Sequence, residues 1–283
     1  MAAADLRPMT LGEVLDRTFT LYREHFLLFV GITALPYLLL LLFNFANLLL
    51  GLGTGHRGVV SGLSPGMIGG FIAGAFGGLF LFLLMIGVAH AATVAAVSDL
   101  YLGRETNVRT AYAQAKGTIG AVIVVIVLSF LAVAVGALFL LFPGIYLACR
   151  LAVSVPAAMV EQDSAVASME RSMELTKGFA GQVFLLLLLV WVIEMVVGGL
   201  LQLPGTVFTM LAMIAKHQPS ITVTVYTYIS QFLSQVLVGP IGTISASLMY
   251  YNLRVRKEGF DIQHLMNSLD NVPRPLADAP VAQ

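Results

Sequence analysis

An all-α integral membrane bundle is the fold class this sequence predicts, and three observations predict it. The chain has 283 residues, 58% of them apolar and only 11% charged, where a soluble domain carries roughly a quarter charged residues. The apolar residues gather into six runs close to the ~20 residues that a helix needs to cross hydrocarbon. Three of these runs are preceded by stretches with the period of an amphipathic helix. A soluble fold could not hide runs of this length beneath so few charges.

Taken in order, the spans are 26–50, roughly 75–98, 118–142, 145–161, 179–203 and roughly 230–252. The stretch "MAAADLRPMT" lacks the short apolar segment and cleavage site of a secretory signal peptide, so the first run reads as a retained anchor. Before it, Leu11, Val14, Leu15, Thr18, Phe19 and Tyr22 share one helical face, and Thr10 with Glu13 offers a capping box. Residues 66–74 and 204–229 are apolar as well and read as extensions of the second and sixth spans or as interface segments. "LFPGIY" reads as a tight hairpin between the third and fourth spans, with Pro143 and Gly144 closing one helix and opening the next. Pro240 falls inside the sixth span, where it would kink the helix and leave a carbonyl for neighbouring groups to satisfy.

Val108, Ala111, Tyr112 and Ala115 repeat the amphipathic spacing before the third span, and Met169, Ser172, Met173 and Thr176 repeat it more weakly before the fifth. Aligned on these faces, Arg23, Lys116 and Lys177 hold equivalent positions just ahead of a span. The chain therefore reads as three copies of one unit: interfacial helix, span out, hairpin, span back. Residues 1–262 form the membrane domain, and 263–283 a polar, proline-bearing tail without a core of its own.

Of the 15 Lys and Arg, 12 lie on the side holding both termini, Arg57 and Lys216 lie opposite, and Arg150 lies inside a span. The asymmetry predicts cytoplasmic termini in an inner membrane. Basic residues beside spans would contact headgroups, with Arg23, Lys116 and Lys177 as the lipid-contacting set and anionic lipids as their partners. The balance of 15 basic against 15 acidic residues gives no global charge excess to draw a nucleic acid.

Catalytic patterns are weak. Residues 62–66 match G-x-S-x-G, but that motif needs a strand-to-helix turn, and Ser64 reads better as a helix cap ahead of Pro65. The five histidines are scattered, Cys149 is the single cysteine, and no metal-ligand spacing occurs. No cofactor is expected, and His90 reads as a helix-packing hydrogen bonder. Gly70, Gly74 and Gly78 recur every fourth residue, with Gly87, Ala91 and Ala95 continuing the face. Such a stripe lets helices approach closely within the chain or in a homo-oligomer. Arg150 and Glu194 are the clearest charges inside spans. Counted from the near ends of their spans they lie roughly 9 and 13 Å deep. That suits an ion pair; the other readings are a snorkelling arginine beside a protonated or hydrogen-bonded glutamate, and a transport role for the two.

Four stretches together resemble the glycerophosphoryl diester phosphodiesterase membrane domain and its stand-alone bacterial relatives: "RPMTLGEVLDRTFTLYREHF", "FPGIYLACRLAVSVPAAMVEQ", "SMELTKG" and "YYNLRVRKEGFD". The likeness spans roughly residues 7–262. It implies a multi-span helical module; in the fused relatives the hydrolytic chemistry belongs to a separate (β/α)₈ barrel, which alone needs about 250 residues. No catalytic residue carries over. The expected role is a non-enzymatic membrane module organising lipids or partner proteins. A small permease using the Arg150/Glu194 region is the alternative, and an intramembrane hydrolase a distant third.

Overall fold

The computed structural model describes residues 8–49, 65–162, 164–217 and 219–259. They form ten helices: α1 (Leu11–Glu24), α2 (Phe26–Leu49), α3 (Pro65–Tyr101), α4 (Val108–Ala115), α5 (Ile119–Phe139), α6 (Leu141–Leu151), α7 (Ser154–Glu161), α8 (Ala165–Thr176), α9 (Ala180–Ile214) and α10 (Ile221–Glu258). No strand occurs among the described residues. Six segments are long and apolar enough to cross a membrane: α2, most of α3, α5, α6 with α7, α9 and α10. Ser64 and residues 263–283 lie outside the described residues.

The helices repeat as three units, α1–α3, α4–α7 and α8–α10, each with a short amphipathic helix, an outgoing span and a return span. Within a unit the outgoing span packs on the return span. Between units α3 packs on α5, α6 on α9, and α10 on α2. The amphipathic helices follow the same cyclic rule, with α4 on α3, α8 on α7 and α1 on α10. Each therefore docks on the return span of the preceding unit, and the third unit closes on the first. The return spans meet at the centre, where 56, 50 and 61% of their most apolar windows are buried, against 28, 17 and 22% for the outgoing spans. Leu35, Phe130 and Trp191 on the outgoing spans are exposed, as lipid contact requires.

The three short helices pack their apolar faces against neighbouring spans. α1 buries Val14, Thr18 and Leu21, α4 buries Ala111 and Ala115, and α8 buries Ser172, Leu175 and Thr176. These faces close on protein. The expected capping box forms at the start of α1, where Thr10 and Glu13 satisfy each other's backbone. Gly178, at φ +89°, turns the chain from α8 into α9.

Three prolines sit inside long helices: Pro36 in α2, Pro204 in α9 and Pro240 in α10. Each frees the carbonyl four residues back, a serious cost in hydrocarbon. Tyrosine hydroxyls from other helices donate at or beside each freed carbonyl. The Tyr112 hydroxyl donates to Ile32 O, the carbonyl freed by Pro36. Tyr22 donates at 2.6 Å to Leu237 O, beside the Val236 carbonyl freed by Pro240. Tyr226 donates to Leu201 O at 2.8 Å, next to the carbonyl freed by Pro204. The same device serves the interruption between α6 and α7, where Ser172 and Thr176 donate to Arg150 O at 2.8 and 3.2 Å. One amphipathic helix thus stitches a broken span in each preceding unit: α1 on α10, α4 on α2 and α8 on α6.

Two boundaries shift from their expected places. The hairpin break falls at Leu140, whose backbone is extended (φ −163°, ψ 143°). Pro143 is carried in the first turn of α6, where its missing N–H would have had no helical partner. Gly144 meets α5 directly, since a Cβ there would fall 2.8 Å from Ala137 backbone atoms. The fifth span runs through Pro204 to Ile214, and α10 extends beyond the sixth span at both ends.

Candidate functional site: a polar chamber among the spans

The final turn of α7, α8 and the last turns of α10 converge at the end of the bundle that carries both described termini. There Met9 and Asn252 exchange backbone-to-amide hydrogen bonds of 2.8 and 3.0 Å. Arg171 Nε donates to both oxygens of Glu161 at 3.0 and 3.1 Å, and its other nitrogens reach Glu258 and Glu174. Arg254 donates to Glu258 at 3.0 Å and to the Tyr250 hydroxyl at 3.2 Å, while that hydroxyl donates to Glu161 at 2.7 Å. Burial lowers the Arg171 pKa, but hydrogen bonds to Glu161 and Glu258 outweigh it and leave the pKa above the ordinary arginine value. Beside this network Asp99, buried, accepts from Gln114 Nε2 at 2.9 Å, and Tyr101 stacks on Tyr251 at 4.5 Å. Sequence reading missed the network because its members are separated by up to 97 positions and read singly as end-of-helix charges.

Nearer the middle of the bundle, α2, α3, α9 and α10 line a partly open chamber of about 760 Å³. Glu194 lines it from α9, roughly 21 Å along the helix from Ala180 at 1.5 Å per residue. Its carboxylate lies against Gly242 of α10, where a Cβ would fall 2.8 Å from Oε1. Gly198 and Gly205 admit Ser234 and Thr227 of α10 in the same way, each hydroxyl 2.8 Å from the position of an added Cβ. Three glycines thus let α9 and α10 approach closely enough to hold a half-buried carboxylate between them. Gln202 and Gln235 add polar lining from the same two helices. On the opposite wall His90 shares a 3.0 Å hydrogen bond with Thr243, which is the packing role expected of it. Thr33, Tyr37 and Thr93 complete the polar wall from α2 and α3. The chamber reaches Leu203, Thr206 and Val207 on the exposed outer part of α9.

Arg150 is not in this chamber. Its guanidinium lies over the Tyr146 ring, 5.8 Å from the centroid and one turn back on α6, while Glu194 faces α10. Neither makes an ion pair among the described residues. The expected pairing fails because matching depth does not place two side chains on facing surfaces. Arg23, Lys116 and Lys177 are all exposed at the junction of an amphipathic helix with its span. Of the predicted glycine stripe, Gly70 and Gly74 fall where side-chain surroundings lie outside the described residues. An added Cβ at Gly78 would make an ordinary 3.4 Å contact with Phe43. The close approach on α3 is at Gly87, where a Cβ would fall 2.3 Å from Ile123 of α5. Pro240 stands at the chamber's edge, flanked by the lining residues Gly239 and Gly242.

The chamber can hold and orient a polar molecule, and a desolvated carboxylate is its strongest group. Among the described residues no three His, Cys, Asp or Glu side chains are grouped as a metal site would require. Comparisons with protein-family models, curated proteins and solved structures find no match.

Proposed function

We propose that this chain is a non-enzymatic, multi-pass protein of a bacterial inner membrane that takes a small polar solute into the Glu194 chamber, as a permease or carrier does. The observation that carries the reading is the cleft itself, about 760 Å³ of partly open space among apolar spans, lined by apolar side chains interspersed with Glu194, Gln202, Gln235 and His90, within the size range of small-molecule sites. The resemblance to the stand-alone membrane-domain family agrees with a multi-span module lacking a catalytic barrel.

Native mass spectrometry in lipid discs tests it. Wild type should retain a non-lipid small molecule that Gly199→Phe loses. Gly199 lines the chamber, and an added Cβ there meets nothing within 4 Å, so the ring enters space rather than backbone. Identical spectra for the two proteins would remove the chamber from the account.

A second reading has its own observation: Arg23, Lys116 and Lys177 recur at equivalent exposed positions in three units. They would gather anionic headgroups, each contributing about 1 kcal/mol near such a surface. Changing all three to Gln should abolish enrichment of anionic lipid in the purified protein, and unchanged enrichment counts against this role. Orientation is checked separately. In intact cells an impermeant thiol reagent should label His217→Cys and spare Thr106→Cys, and the reverse pattern would invert the topology.

A further inference from the structure

We propose that the solute is an organic cation and that Glu194 is its counter-ion, an inference that rests on the chamber being a binding site. Glu194 is the one acidic side chain lining it, and no Lys or Arg lines it. The neutral lining is biased the same way. Thr33, Thr93 and Thr206 direct their hydroxyls to carbonyls of their own helices, Phe29 O at 2.9 Å, Ala89 O at 2.7 Å and Gln202 O at 3.0 Å. A hydroxyl has one proton to give and two lone pairs to offer. With its proton committed, each of these oxygens presents acceptor capacity alone. These three oxygens add acceptors to a lining whose one carboxylate lacks an ion-pair partner among the described residues, while the Gln202 and Gln235 amides offer donors and acceptors alike.

The volume argues against an inorganic ion. About 760 Å³ suits a molecule of drug size, and the chamber holds neither the grouped carboxylates nor the ligand count that a bare divalent ion needs. Tyr37, on the chamber wall, adds an aromatic ring of the kind that attracts ammonium and pyridinium groups. A charged amine or pyridinium head on an apolar body matches both halves of this lining: the carboxylate and threonine oxygens for the head, and Ile86, Leu203 and Val207 for the body.

The test uses the full chain in lipid discs and two dyes of nearly equal shape, a fluorescent N-methylpyridinium styryl monocation and its uncharged pyridine parent. Wild type should bind the cation at least about tenfold more tightly than the parent. Glu194→Gln should bring the two dyes to within about twofold of each other, while Gln202→Glu, which adds a second carboxylate to the wall, should tighten the cation and leave the parent unchanged. The second variant gains rather than loses binding, so a misfolded Glu194→Gln protein does not decide the question. Equal affinity for both dyes, unmoved by either charge variant, overturns the cation assignment. If Gly199→Phe then still expels the parent, the chamber stands as a site for a neutral solute. If Gly199→Phe leaves both dyes bound, the chamber reading falls as well.

Discussion

The charged end of the bundle and the chamber solve the same problem in opposite ways. At the charged end Glu161 accepts from both Arg171 and Tyr250, and Glu258 from both Arg171 and Arg254. Every carboxylate there has its countercharge supplied within the protein. In the chamber Glu194 has polar neighbours but no ion-pair partner among the described residues. An ionisable group among spans costs about 2.5–3.5 kcal/mol on insertion scales, and this chain has the means to pair it, as its other end shows. The difference teaches that one carboxylate set is built into the cohesion of the bundle, whereas Glu194 is left to polar neighbours, as the proposed solute site requires.

The largest test of that contrast is Arg171→Ala. It takes one of two partners from each of Glu161 and Glu258, whose side chains are 18 and 24% exposed, leaving Tyr250 and Arg254 to hold them, and should lower stability by about 2.5 kcal/mol, less than the full loss of a buried pair. Thermal unfolding in detergent measures it; a loss below about 1 kcal/mol would class the network with ordinary surface pairs and dissolve the contrast. Tyr112→Phe comes next, at about 2 kcal/mol, because it leaves the Ile32 carbonyl without the donor that offsets Pro36. Should Tyr112→Phe prove neutral, the stitching of broken spans would not be a stabilising device. Glu194→Gln should do least, changing stability by less than about 1 kcal/mol in either direction, since it removes a desolvated charge while keeping shape. A substantial loss from it would mean that Glu194 holds the fold together, and the chamber would then resemble the charged end after all.

Hydropathy alone located the six spans, because a lipid-facing surface writes itself into composition. The amphipathic stretches were legible from period, and Pro240 from the rule that a proline frees a carbonyl. The identity of the answering groups was not: Tyr112 and Ile32 lie 80 positions apart, and a tyrosine on an amphipathic face looks like any other. Arg150 and Glu194 were conspicuous as charges, yet their facing surfaces depend on helix rotation, which weakly patterned apolar spans do not reveal. Gly198, Gly205 and Gly242 escaped notice beside the regular spacing of Gly70, Gly74 and Gly78. A glycine's meaning lies in what presses against it, and that partner belongs to another helix.

The cyclic packing has a consequence for where this molecule can move. The first and second units are joined by the chain at 102–107 and the second and third at 162–164, whereas the third meets the first with no peptide bond across the boundary. The chamber sits on that boundary, lined by α2 and α3 from one side and α9 and α10 from the other. Like a book held shut at its fore-edge, the ring has two bound hinges and one free seam. The hydrogen bonds of Met9 with Asn252 and of Tyr22 with Leu237 are the clasps of that seam. Opening it would stretch no connection between helices among the described residues, and it would uncover further a Glu194 that is half-buried in the closed ring.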